Sequence, residues 1–211
     1  MGLVRFIFHG MCHQMDERAL SAAGFTMPLC SRCAGLYLAV FLALPLFIFY
    51  CARRRTTVFT PFVPLVSLAA LAWAADGVAN FFGLWQTPNV LRFATGAALG
   101  ISLSPFLASL FLVTLDESPA TAPACPWRLL PVALAVVAAL TTANVRPPAA
   151  LLVLESYAAA AGVVMLLLLV HTALWLLILQ RRHLPLAVSI ALVTVAAQIA
   201  LFSSLRNLVN I

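Results

Sequence analysis

The stretch CSRCAGLYLAVFLALPLFIFYCARRR, Cys30 to Arg55, decides the fold class. From Ala34 to Ala52 it holds no charged residue, and three arginines close it. A helix over those nineteen residues would run about 28 Å at 1.5 Å per residue, close to the roughly 30 Å of a bilayer's hydrocarbon core. The chain then repeats the pattern. Further apolar runs cover Thr57–Ala75, Val90–Leu115, Arg128–Ala143, Ala150–Leu179 and Pro185–Leu205. Of the 211 residues, 64% are hydrophobic and 9% charged, with mean hydropathy +1.08. A soluble domain carries roughly 25% charged residues, so the solvent for most of this chain is lipid.

The expected fold is therefore all-α: a polytopic membrane helix bundle of about six transmembrane helices. It forms one integral membrane domain over residues 1–211, with a short Cys/His-rich segment (1–33) ahead of the bundle (34–211). The apolar stretch Leu3–Met11 is short, broken by Arg5 and His9, and lacks a small-residue cleavage site. It is expected to stay as an interfacial or re-entrant segment. The net charge is +6, and all twelve basic residues are arginines at the ends of apolar runs, with no basic stripe. That excludes a nucleic-acid partner.

Six spans place both termini on one side, face A, with the Asp76–Asn89 and Asn144–Pro148 loops. Face B receives Arg53–Arg55, the Asp116–Arg128 loop and Gln180–His183. Arginines clustered directly beyond spans read as cytoplasmic. The expectation is a cell (inner) membrane protein with face A, including the N-terminus, extracytoplasmic.

Face A also holds the scarce reactive side chains. The spacing His9-x2-Cys12-x17-Cys30-x2-Cys33 is that of a four-ligand zinc site. Thiolate and imidazole donors suit zinc, which makes no geometric demand of its own; copper and iron are alternatives. His13 competes with His9 for the fourth position, and three protein ligands would leave a catalytic layout. Two other readings stay open: the cysteines pair as a disulfide with no metal, or simply pack as small hydrophobes. Arg18 and Arg32, with Glu17, either form a solvated charged turn or bind an anion through their planar forks.

The string Cys12-His13-Gln14-x2-Glu17-Arg18, followed by Cys30-x-Arg32-Cys33-x-Gly35-x-Tyr37, resembles the DUF2085 family, uncharacterised multi-pass membrane proteins of bacteria and archaea. A second block of that pattern resembles Asp76-Gly77, Asn89, Arg92, Thr95 and Gly96 here. The likeness covers about the first half of the chain. It departs at Ala19, where the family has Ser, and at His9, which the pattern lacks, so it favours His13 as the histidine. It implies a membrane bundle with a Cys/His site and no particular reaction.

The second block lies at the same edge as the cysteines. Asp76 and Arg92 are the natural ion pair, because ionisable groups at membrane depth seek a partner or a cavity. Either they only cap the loop, or Arg92 or Arg146 clamps an anionic group while Asp76 or Glu155 moves a proton. Gly96 and Gly100 form a small-x3-small step for close helix approach. His171, mid-span, reads as a hydrogen-bonded histidine rather than a ligand.

Three functions compete. One is a metal-dependent enzyme acting on a lipid-linked or anionic substrate, with membrane lipid as its partner, Asp76 as base and Arg92 as clamp. The second is a membrane thiol–disulfide redox protein. The third is a transporter or accessory subunit with a structural metal site.

Overall fold

The computed structural model describes residues 1–9, 11–12, 14–54, 59–115, 129–179 and 183–209. Its elements are α1 (Gly2–His9), a 3₁₀ turn (Asp16–Arg18), β1 (Ala19–Ala22), β2 (Phe25–Cys30), α2 (Ser31–Arg54), α3 (Phe59–Phe81), α4 (Asn89–Leu115), α5 (Leu129–Ala143), α6 (Ala149–Ile178) and α7 (Leu184–Val209).

Helices α2, α3, α4, α6 and α7 are each long and apolar enough to cross a bilayer. Inside lipid a helix satisfies its own backbone hydrogen bonds, which is why the spans take this form. The fifteen residues of α5 reach about 22 Å, short of the roughly 30 Å core. The bundle is polytopic and helical, as the composition requires. Its outer surface is apolar: Leu46, Phe49, Leu68, Leu71, Leu174, Leu192 and Val193 are exposed. Its interior is built from Leu38, Val40, Leu44, Phe93, Leu152 and Val163.

Two differences from the sequence expectation matter. The segment before α2, expected to hold tight turns, contains a two-stranded antiparallel sheet. Its two-residue turn, Ala23-Gly24, has positive φ at both positions (49° and 79°), the primed geometry that matches strand twist. The pairing slips between Ala19/Ser21 and their partners. Pro28 lies in the slipped stretch and has no N–H to give the ladder. Secondly, α3 does not stop at Asp76-Gly77 but continues to Phe81. The side chains that Asp76 engages, described below, let it stay helical. The N-terminal apolar stretch folds as α1, with Val4 and Phe8 buried, packed on α6, α7 and β2.

Helices α2 and α4 make the most extensive contact in the molecule. They run parallel, because Gly96 faces Arg32 and Gly100 faces Leu36. The approach is backbone on backbone. A Cβ on Gly96 would strike the Arg32 carbonyl oxygen, and one on Gly35 would strike that of Phe93. One on Gly100 would meet the Leu36 carbonyl and lie 2.8 Å from Ala39 Cβ. On the other side of α2, Gly162 of α6 sits against the Tyr37 carbonyl. Small residues are the general means of close approach in lipid, where no hydrophobic force drives helices together.

Gly96→Ala should therefore lower the thermal unfolding midpoint of the detergent-solubilised protein, at a cost of about 1–3 kcal/mol or more for overpacking. Gly2→Ala, where a Cβ meets nothing within 4 Å, should leave the midpoint unchanged.

Candidate metal centre and adjoining polar pocket

Cys30 ends β2 and Cys33 lies in the first turn of α2. The Cys-x2-Cys pair is thus formed where the strand passes directly into the helix and not by a free-standing tight turn. Ser31 fixes that start by donating from Oγ to the Arg18 carbonyl at 2.9 Å. Cys12, buried after α1, supplies the third sulfur. The three Sγ atoms lie within 4.8 Å of one another. Tetrahedral zinc with Zn–S near 2.3 Å holds its sulfurs about 3.8 Å apart, so small side-chain adjustments close this set on an ion.

Further hydrogen bonds hold Cys12 and its segment in place. The Cys30 N–H donates to Cys12 Sγ at 3.3 Å. Gln14, in a left-handed conformation (φ 51°), donates from Nε2 to the Pro28 carbonyl at 3.2 Å. Arg206 of α7 donates to the carbonyls of His9, at 2.7 Å, and of Cys12. Hydrogen bonding from the Cys30 and Cys33 thiols holds the Cys12 thiol well below its ordinary pKa, against the opposing effect of burial. The same sharing with Cys12 raises Cys30. All three cysteines, and the buried Cys51 far along α2, are free thiols.

Among the described residues no histidine joins the three sulfurs. His9 turns toward α7, its Nδ1 3.4 Å from Ser203 Oγ, because α1 packs there. His13 lies outside the described residues. His171 bonds its own helix, with Nδ1 2.8 Å from the Leu167 carbonyl.

The second block forms a connected polar pocket beside the cysteines. The expected Asp76–Arg92 pair is replaced by a relay. Asp76 is ion-paired with Arg32. Its other oxygen accepts from Asn80 Nδ2 at 2.9 Å and from Thr87 Oγ1. Arg92 donates instead to Asn80 Oδ1. The reason is geometric: Arg32 projects from α2 toward α3, where Gly77 leaves room, a Cβ there lying 3.0 Å from Arg32 Nη1. The guanidinium also lies 5.8 Å from the Trp73 ring centroid. Asn89 ties the pocket to the cysteine segment by donating to the Ala19 carbonyl at 2.9 Å. Arg18 is partly exposed and only 3.9 Å from Glu17, and Arg146 is exposed between α5 and α6. Neither enters the pocket's hydrogen bonds.

Asp76 and Arg92 are buried, and the pocket holds two arginines against one carboxylate. Three buried donors in it have no acceptor: Arg32 Nε, Arg92 Nε and Trp73 Nε1. Sequence reasoning did not single out Trp73 or Thr87. Thr87 sits in a loop whose register the spacing alone does not give.

Residues 12–106 match the family model described as predicted membrane protein (DUF2085). An uncharacterized protein of Methanothermobacter thermautotrophicus is 36% identical over 97 residues, covering 46% of this chain and 84% of that protein. The chain belongs to the DUF2085 family. An uncharacterized protein of Methanocaldococcus jannaschii is 28% identical over 105 residues, 50% of this chain and 66% of its own length. No solved structure matches. The region matched by the DUF2085 model starts at Cys12 and contains both the three cysteines and the whole Arg32–Asp76–Asn80–Arg92 relay.

Removing one member of a buried ion pair strands the other, at about 3–5 kcal/mol. Arg32→Ala and Asp76→Ala should each lower the unfolding midpoint strongly. The double variant should lose clearly less than the two losses added together, as read from a double-mutant cycle.

Proposed function

We propose that this DUF2085 protein carries a thiolate-bound metal ion, zinc by donor chemistry, on Cys12, Cys30 and Cys33, and that the adjoining pocket receives an anionic group. The observation that carries the reading is the convergence of three sulfurs from separate elements within 4.8 Å. Charge supports it. Three thiolates and a divalent ion sum to one negative charge, and the pocket's two arginines and one carboxylate to one positive charge. In surroundings that penalise isolated charge, the two centres balance. The unpartnered donors of Arg92, Arg32 and Trp73 suit oxygen atoms of a phosphate or carboxylate.

At such a centre the metal supplies Lewis acidity or an activated water. The chain's own residues divide the remaining work. Arg92, with one known bond and a free Nε, is the clamp. Asp76, with both oxygens engaged, positions Arg32 and Asn80 rather than acting as a free base. His13, adjacent to Cys12, is the candidate for the fourth ligand. The substrate class is anionic and lipid-linked or membrane-delivered, since the arginines lie at the ends of apolar spans. The clustered arginines beyond α2 support a cytoplasmic face B in a cell membrane, with the metal centre on the opposite side.

Protein purified in mild detergent without chelator should carry one tightly bound metal per chain, zinc in elemental analysis. Cys12→Ser, Cys30→Ser and Cys33→Ser should each abolish it, and Cys51→Ser should not. A reducible disulfide among the three with no metal would overturn the reading in favour of thiol exchange. Arg92→Gln should keep the metal while reducing the lipid phosphorus that co-purifies with the protein; unchanged phosphorus would remove Arg92 from its role as clamp.

A further inference from the structure

Away from the cysteines the bundle buries a second polar group. Asn144, just beyond α5, is 1% exposed, and Glu155, in the second turn of α6, is 3% exposed. Asn144 Nδ2 donates to the Leu140 carbonyl and to Glu155 Oε1, both at 2.9 Å. That uses both amide hydrogens. Three buried oxygens are left with no donor: Asn144 Oδ1, Glu155 Oε2 and Thr141 Oγ1. Thr141 and Asn144 are three residues apart at the end of α5 and so lie on one side of it.

Among the described residues Glu155 has no ion pair. Arg146, the nearest cationic side chain in sequence, is exposed. An ionised carboxylate buried without a counter-charge is among the costliest arrangements in a protein, more so in lipid. The group is short of one positive charge and has acceptors to spare.

We propose that Glu155, Asn144 and Thr141 form a site for a small singly charged cation of sodium type at the face A end of α5 and α6. The donor set is all oxygen, the choice of hard cations. A single carboxylate is neutralised by one positive charge, whereas a divalent ion would leave a net charge buried. Several orphan acceptors suit a cation that takes several ligands, whereas a proton satisfies one of them. The neighbouring Val145 and Arg146 are exposed, which places the site one residue from the molecular surface. The site lies outside residues 12–106 and is independent of the cysteine centre.

The test uses the full-length protein in detergent. Its unfolding midpoint is followed as sodium chloride replaces N-methylglucamine chloride at constant ionic strength and pH, and bound sodium-22 is counted. The expected result is a saturable rise in midpoint with about one sodium per chain. Glu155→Gln should abolish that response while the content of cysteine-bound metal stays unchanged. Should Glu155→Gln fail to fold, Thr141→Val keeps the test open, with an expected rise of about tenfold or more in the half-saturating sodium concentration. A midpoint that responds to pH but not to sodium would overturn the proposal by making the occupant a proton. A sodium response unchanged in both variants would overturn it by placing the ion elsewhere.

Discussion

The approach of α2 to α4 through bare backbone is the contact on which the rest depends. Gly35, Gly96 and Gly100 let two parallel helices meet with carbonyl oxygens where side chains would normally stand. Both helices start at the same edge, so the contact brings their first turns together. Those turns carry Arg32, Cys33, Asn89 and Arg92. With bulkier residues at the crossing the axes would separate by the thickness of a side chain. The relay from Arg32 through Asp76 and Asn80 to Arg92 would then no longer close, since its two arginine bonds each span two helices.

Alpha-helical geometry then sorts one short motif into several roles. Along Cys30-x-Arg32-Cys33-x-Gly35-x-Tyr37 each residue advances about 100° around α2. Cys33 faces Cys12 and Cys30. Arg32, one step back, reaches α3. Gly35 meets α4, and the Tyr37 carbonyl meets Gly162 of α6. Arg32 is thereby a shared wall: its neighbours in sequence belong to the sulfur cluster, and its side chain belongs to the polar pocket. This arrangement sets the cysteine cluster and the arginine pair side by side, through adjacent residues of one helix.

Much of this was legible in the sequence, and the limits have physical causes. The spans were legible because lipid demands long apolar runs. The cysteine triad was legible because few residue types carry soft donors. The Gly96-x3-Gly100 step announced a close helix contact. The hairpin was hidden because Ala23 occupies a position with φ of 49° that Asn, Asp or Gly usually signals. The partner of Asp76 was misread because sequence proximity favoured Arg92, sixteen residues on. The true partner, Arg32, sits forty-four residues earlier and is brought near only by packing of α2, α3 and α4. His9 looked like a ligand by spacing alone; α1 packs on α7 and carries it toward Ser203.

The division of labour along the chain follows from where the anchors lie. Residues 12–106 contain every sulfur of the cluster and every member of the relay. Yet the carbonyl of Cys12 is held by Arg206, near the end of α7, and α1 rests on α6 and α7. A cation bonding the last carbonyls of a short helix offsets acceptors that the helix itself leaves unmet. The later helices thus close the N-terminal segment over a site whose chemical groups lie earlier in the chain. Cys12 is the one sulfur not carried by the β2–α2 junction, so it is also the one whose position depends on that closure.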